Sequence, residues 1–158
     1  MIADPSLADM TKALLALHVI AAIIAIGPVT VAASMFPAAV RAQDAARLGL
    51  LARICRVYAV VGVAVPVFGF ATAASLHVLG SPWLVASITL TAVAALVLGA
   101  VILPAQDRIL HTRWTGGEDR DFDTRTVTRL AMCTGLFNLL WASVTVLMIL
   151  RPGSTTGV

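Results

Sequence analysis

Apolar residues along the chain fall into four long runs that are separated by polar segments. Residues 13–40, 57–79, 82–106 and 130–150 contain no Asp, Glu, Lys or Arg. A helix needs about 20 mostly apolar residues to cross a hydrocarbon core of about 30 Å, and a charge-free run of about 18 already qualifies. The pattern predicts an all-α fold, an integral membrane four-helix bundle, and the 158 residues leave room for only a single membrane domain, residues 1–158.

The first run is too long for the apolar part of a secretory signal, and the residues before it are acidic instead of basic. Asp4 and Asp9 precede the run and Lys12 is the only cation there. We therefore expect a retained first helix. Ser6 or Asp9 is the expected N-cap, because their side-chain oxygens can accept hydrogen bonds from first-turn amides. Pro28 predicts a kink in this helix just after Gly27.

The cations are distributed unevenly between the two ends of the spans. Nine arginines lie in the segments 41–56 and 107–129, whereas Lys12 and Arg151 are the only cations on the other side. Because Lys and Arg in short loops stay in the cytoplasm, this predicts a multi-pass protein of the cell membrane with cytoplasmic loops 41–56 and 107–129. Both termini and the turn at residues 80–82 are expected outside. Orientation also accounts for the basic balance, so no nucleic acid partner is indicated.

The two predicted cytoplasmic loops differ in character. Segment 41–56 places charged and apolar residues so that a short amphipathic helix could lie on the membrane surface before the second span. Segment 107–129 is the only long polar stretch and is broken by Gly116 and Gly117. This composition is compatible with either a solvated connector or a docking surface for a partner.

Small and polar residues at helical spacing indicate where the spans pack, since small residues let backbones approach in lipid. The second run carries Gly62, Gly69 and Ala73 on one face, together with Pro66. The fourth run carries a polar face with Asn138 and Trp141. An unpaired amide in the middle of a span is costly, so Asn138 should contact another helix. We predict that these positions form packing interfaces, within the chain or with a neighbouring subunit.

Two histidines lie within the predicted spans. His18 is near the start of the first run and His77 near the end of the second, so the topology places both in the outer leaflet and predicts a similar level for the two rings. An ionisable residue in a membrane is a candidate functional site. His18 and His77 could be haem ligands or copper ligands, or contact a quinone. The alternative is that each ring packs or hydrogen-bonds to a backbone carbonyl, and we predict this alternative.

No arrangement of side chains in the sequence indicates catalysis. The spans contain no carboxylate, which disfavours a transporter that relays protons or cations, and there is no CxxC motif or phosphate-binding glycine loop. Cys55 and Cys133 fall at the cytoplasmic ends of the second and fourth spans and are expected to be packing residues. We predict no enzymatic activity and no cofactor.

The stretch LHVIAAIIAIGP, residues 17–28, together with the four-span layout, resembles small four-helix actinobacterial membrane proteins. These include the accessory respiratory supercomplex associate factor of the cytochrome bcc-aa3 supercomplex. The resemblance implies a cofactor-free accessory subunit or assembly factor whose partners are membrane lipids and a larger membrane complex, made of respiratory oxidase or reductase subunits. Two alternatives stay open: a haem- or copper-binding protein using His18 and His77, and a small transporter.

Overall fold

The computed structural model describes residues 5–114 and 124–153, and within them every regular element is helical. The helices are α1 (Pro5–Arg41), α2 (Ala45–Val61), α3 (Ala64–Ser75), α4 (Pro82–Leu96), a π-helical segment (Val97–Ile102), α5 (Leu103–Trp114) and α6 (Thr124–Leu150). The second span combines α2 and α3, and the third combines α4, the π-helical segment and most of α5, so the helices form four long apolar segments. These are Ala8–Arg41, Ala45–Ser75, Pro82–Thr112 and Thr124–Leu150. Each is long and apolar enough to cross a membrane, which confirms the predicted all-α fold with four spans.

The helices extend beyond the charge-free runs into the arginine-bearing segments. Segment 41–56 was expected to form a separate helix on the membrane surface, but only residues 42–44 separate α1 from α2. The reason is that α2 buries Leu48, Leu51 and Cys55 on one face, so it packs as part of the bundle. The polar segment 107–129 is also largely helical where it is described, because α5 continues to Trp114 and α6 begins at Thr124. Gly116 and Gly117 lie outside the described residues.

The first helix begins earlier than the expected N-cap residues. It starts at Pro5, a residue well suited to the first helical position because it has no N–H to leave unpaired. Ser6 and Asp9 therefore lie inside α1, and the prediction that either caps it is wrong. Asp9 instead pairs with Lys12, one turn further on, at 3.3 Å.

In the second and third spans the regular α-helix is interrupted four residues before a proline. Pro66 has no N–H to donate to the carbonyl of Gly62, and the helix is interrupted at that carbonyl, between α2 and α3. Pro104 stands in the same relation to Ala100, which lies within the π-helical segment Val97–Ile102. A wider turn relieves the clash between a proline ring and the preceding carbonyl. By contrast, α1 is helical without interruption through both of its prolines.

The core forms where α1 meets its neighbours. α1 packs against α2, α3 and α6, α4 packs against α6, and α2 reaches α5. Phe36, Leu48, Ile102 and Phe137 are fully buried at the centre of the main cluster. A smaller cluster of Ala73, Trp83 and Leu84 lies at the turn between α3 and α4. The bundle is thus closed at two levels, near the arginines and near this turn.

Candidate functional site

His18 joins α1 to α3 through its imidazole ring. Its Nδ1 lies 2.8 Å from the carbonyl oxygen of Val65, to which it donates when that nitrogen is protonated. The ring also lies over Gly69: a Cβ built on that glycine would stand 2.9 Å from the ring's Cε1. The small residue at position 69 therefore makes room for an imidazole, and not for a helix backbone as a small-residue face would suggest.

His77 has a backbone role at the end of α3. Its φ is 56°, in the left-handed region that glycine usually occupies at this position. Its N–H bonds to the carbonyl of Ala74 at 3.1 Å, and the N–H of Val78 bonds to that of Ala73 at 3.1 Å. This pair of hydrogen bonds is a Schellman motif, which satisfies carbonyls at the helix end. The imidazole of His77 itself is exposed.

The two histidines sit at different levels of the bundle. His18 contacts α3 at Val65 and Gly69, and His77 follows Gly69 by eight residues. At a rise of about 1.5 Å per residue this is about 12 Å along the helix. The expectation of a similar level for both rings is therefore wrong, because α1 crosses α3 two turns before α3 ends. The described residues hold no group of three or more His, Cys, Asp or Glu side chains able to hold a metal ion.

The polar face of α6 turns toward α1. Asn138 Nδ2 donates to Ser34 Oγ at 3.1 Å, so the amide does bond to another helix. One turn further along, Trp141 packs edge-on against Phe137, with ring centroids 6.3 Å apart. Asn138 Oδ1 and Trp141 Nε1 are buried, and neither has a hydrogen-bond partner among the described residues.

The other predicted interface positions pack within the chain. Ala73 is buried with Trp83 in the cluster at the turn between α3 and α4. Gly62 lies at the break between α2 and α3, where an added Cβ would stand 3.2 Å from the carbonyl oxygens of Tyr58 and Ala59. Ala73, like Gly69, therefore packs against another helix of this chain, whereas the contacts of Gly62 are with its own span.

A cleft lined by residues of all four spans lies at the level of the two proline-related irregularities, with most of its lining on the second and third spans. Its volume is about 140 Å³. Its lining includes Tyr58, Gly62, Pro66, Ala95, Leu98 and Trp141. Pro66 and Ala95 are exposed, so the cleft is open at the side of the bundle. The surrounding medium at this depth is the hydrocarbon of the bilayer, which makes the cleft a candidate binding site among the described residues.

Two contacts between α2 and α5, which sequence reasoning did not identify, close the bundle beside the cleft. Arg56 forms an ion pair with Asp107, with both side chains partly exposed. On the buried side, Gln106 Nε2 lies 3.5 Å from Cys55 Sγ. A signal for the ion pair was present, because Arg56 directly precedes the second charge-free run and Asp107 directly follows the third. Residues that flank antiparallel neighbouring spans at one end lie at the same membrane level.

Comparison with known proteins gives a family and no close relative of known activity. The family model described as "Predicted integral membrane protein (DUF2269)" matches residues 12–152. No curated protein matches the chain, and no solved structure does. The matched region includes all or part of every helix described above. The chain therefore belongs to the DUF2269 family of predicted integral membrane proteins.

Proposed function

We propose that this protein is a non-catalytic accessory subunit, or assembly and stability factor, of a larger membrane complex, and that the complex is a respiratory electron-transfer supercomplex. The observation that carries the proposal is the uncovered first half of α1. The respiratory partner is supported by the resemblance of the first helix and the four-span layout to an accessory supercomplex factor.

The first half of α1 extends past the end of α6. Ser34 and Asn138 mark one level of both helices, since their side chains are hydrogen-bonded. From Asn138, α6 continues for twelve residues to Leu150, whereas His18 lies sixteen residues before Ser34. With a rise of about 1.5 Å per residue, α6 ends about 6 Å short of the level of His18. At that level α1 has α3 as its neighbour and nothing from α6 beside it.

Large apolar side chains surround this part of α1. Ile20 is 52% exposed and Ile23 is 69% exposed. The others are Leu15, Leu17, Val19 and Ile24. A face of this size is suited to packing against a helix of another subunit, where dispersion contacts and close fit provide the stabilisation that water exclusion provides in solution.

The test is purification of the tagged chain from its own membranes in a mild detergent, followed by identification of the proteins that remain bound. We expect oxidase or reductase subunits in fixed proportion to the chain. Ile20→Ala with Ile23→Ala should release them. Val93→Ala with Leu96→Ala removes the same kind of exposed pair, at the same spacing, from α4 and should not.

Each part of the proposal has its own contradictory result. A chain that purifies alone under these conditions argues against an accessory subunit. If the chain is recovered in fixed proportion with a complex that does not transfer electrons, the accessory role is supported and the respiratory partner is contradicted. Ion or solute flux through the reconstituted chain alone would support the transporter alternative instead.

A further inference from the structure

One seam of the bundle combines exposed arginines with the apolar cleft. We define the α2–α5 seam as the line along which α2 and α3 face α5 and α4. At the end near the arginines it is closed by the Arg56–Asp107 ion pair on its exposed side and by the Cys55–Gln106 contact on its buried side. Further into the bundle, from Tyr58 onward, the seam is lined by the cleft.

The closed end of the seam carries an excess of positive charge. Arg53 lies one turn before Arg56 on α2, and Arg108 follows Asp107 on α5. Arg53 and Arg108 are exposed, and neither is paired with an acidic side chain among the described residues. Three arginines and one aspartate give a net charge of +2 (3 − 1). Guanidinium groups bind phosphate oxygens through paired hydrogen bonds, so the cluster is complementary to a phosphate-bearing group.

The distance from the arginines to the far end of the cleft matches one leaflet of a bilayer. The lining begins at Tyr58, two residues beyond Arg56, and reaches Pro66, ten residues beyond Arg56. At about 1.5 Å per residue, ten residues span about 15 Å. This is half of a hydrocarbon core of about 30 Å. A hydrocarbon chain whose head group lies at Arg56 would therefore end at the far wall of the cleft.

The cleft itself is suited to hydrocarbon. Small residues on both walls, Gly62 and Ala95, hold it open, and Leu98 and the ring of Trp141 cover its interior. The buried Nε1 of Trp141 is shielded from the surface, so it offers no hydrogen bond to an occupant without movement of the ring. An apolar chain satisfies such a lining, whereas a polar head group would leave its own hydrogen bonds unmade.

We propose that the α2–α5 seam binds an anionic glycerophospholipid, with its phosphate on Arg53, Arg56 and Arg108 and one acyl chain in the cleft. The arginines and the cleft are independent features of the structure, and the distance between them fits the head group and acyl chain of one lipid. The site does not depend on the accessory role proposed above, because it is complete within one chain.

The charge at the site is tested on the full chain purified in detergent, with bound lipids counted by native mass spectrometry. The chain should bind one phosphatidylglycerol and prefer it to phosphatidylcholine. Arg53→Gln with Arg108→Gln should weaken phosphatidylglycerol binding about thirtyfold. Each arginine near a lipid head group contributes about a fivefold gain in affinity, and the variant removes two. Arg41→Gln with Arg129→Gln makes the same change in charge on α1 and α6 and should leave the affinity nearly unchanged.

The acyl chain in the cleft is tested by filling the opening. Ala95→Leu should weaken phosphatidylglycerol binding about tenfold, since it displaces about two methylene groups from the cleft. Ala92→Leu places the same side chain at an exposed position of α4 outside the cleft and should have little effect. Both variants are compared at equal helical content and equal thermal stability.

Three results would overturn the proposal. Equal binding of phosphatidylcholine would show that the arginines do not select the lipid. Equal loss in both double arginine variants would show a general charge effect. Displacement of the lipid by excess inorganic phosphate, with Ala95→Leu unaffected, would show an anion site without a chain site. None of these measurements involves a partner subunit, so the accessory role can fail or hold separately.

Discussion

The imidazole of His18 lies directly over Gly69, so that a Cβ at position 69 would stand 2.9 Å from the ring's Cε1. The ring cannot simply swing away, because its Nδ1 is held at 2.8 Å by the carbonyl oxygen of Val65. The histidine in the first span and the glycine in the second thus form one packing unit, which fixes the crossing of α1 and α3.

Gly69→Ala should destabilise the protein by about 1–3 kcal/mol, the usual range for an added group in a packed core. The measurement is denaturation in detergent followed by circular dichroism. Gly135→Ala, in a helix interior with nothing within 4 Å of the added Cβ, is the control and should be neutral or stabilising. In a His18→Ala background the cost of Gly69→Ala should largely disappear, and an unchanged cost there would contradict the contact.

His18→Gln should leave the absorption spectrum unchanged and reduce stability only slightly. Glutamine keeps a donor for the carbonyl of Val65 in a similar volume, whereas an amide is a poor replacement for imidazole at iron or copper. Spectra and metal analysis of the purified parent, His18→Gln and His77→Gln provide the comparison. Loss of a Soret band, or of stoichiometric copper, in both variants would assign the two histidines as ligands.

His77→Gly should stabilise the protein by about 1 kcal/mol, because glycine adopts the left-handed conformation of this position without the steric cost of a side chain. His77→Ala is the control: it also removes the imidazole but keeps a Cβ, so it should give no gain. Thermal unfolding of the three proteins measures the difference. A loss of stability in the glycine variant would show that the ring of His77 makes contacts that stabilise the folded protein.

Ser34 and Asn138 should show a coupling energy of about 0.6 kcal/mol, which is typical for a hydrogen bond between membrane helices. Ser34→Ala, Asn138→Leu and the double variant form the cycle, with unfolding free energies measured in the same detergent. Ser34→Ala combined with Thr145→Val, a pair with no bond between them, should be additive. Additivity in the first cycle would mean that the bond does not stabilise the bundle.

The sequence predicted the spans and a contact of Asn138 with another helix, but not which faces of the helices pack. Charge-free runs are sufficient to locate helices in lipid, and a buried amide must find a polar group on another helix. The face that turns inward is a harder problem, because a span that is apolar all round has no amphipathic pattern. For that reason Gly69 was expected against a backbone and lies instead against His18.

The candidate site could not be predicted from the sequence, because it is formed by contacts between spans and the pattern within one span does not show which spans are neighbours. The cleft lies at the level where the helices change at Gly62 and at Val97–Ile102, four residues before Pro66 and Pro104, whereas Pro28 was the proline expected to disturb a span. The ion pair of Arg56 with Asp107 required knowing that the second and third spans are neighbours at that end. His77 was a possible ligand because it is an ionisable residue in a predicted span, and its left-handed backbone conformation is not visible in the sequence pattern.

The orientation of the bundle should place Ser81 outside the cell and Gly117 in the cytoplasm. Nine arginines lie in the segments on the side of Gly117, against two cations on the side of Ser81, and positive residues in short loops are retained in the cytoplasm. Ser81→Cys should therefore react with a membrane-impermeant thiol reagent in intact cells. Gly117→Cys should react only after the membrane is made permeable, and the parent chain with Cys55 and Cys133 measures background labelling. The opposite pattern would invert the topology and place the arginines of the α2–α5 seam in the outer leaflet.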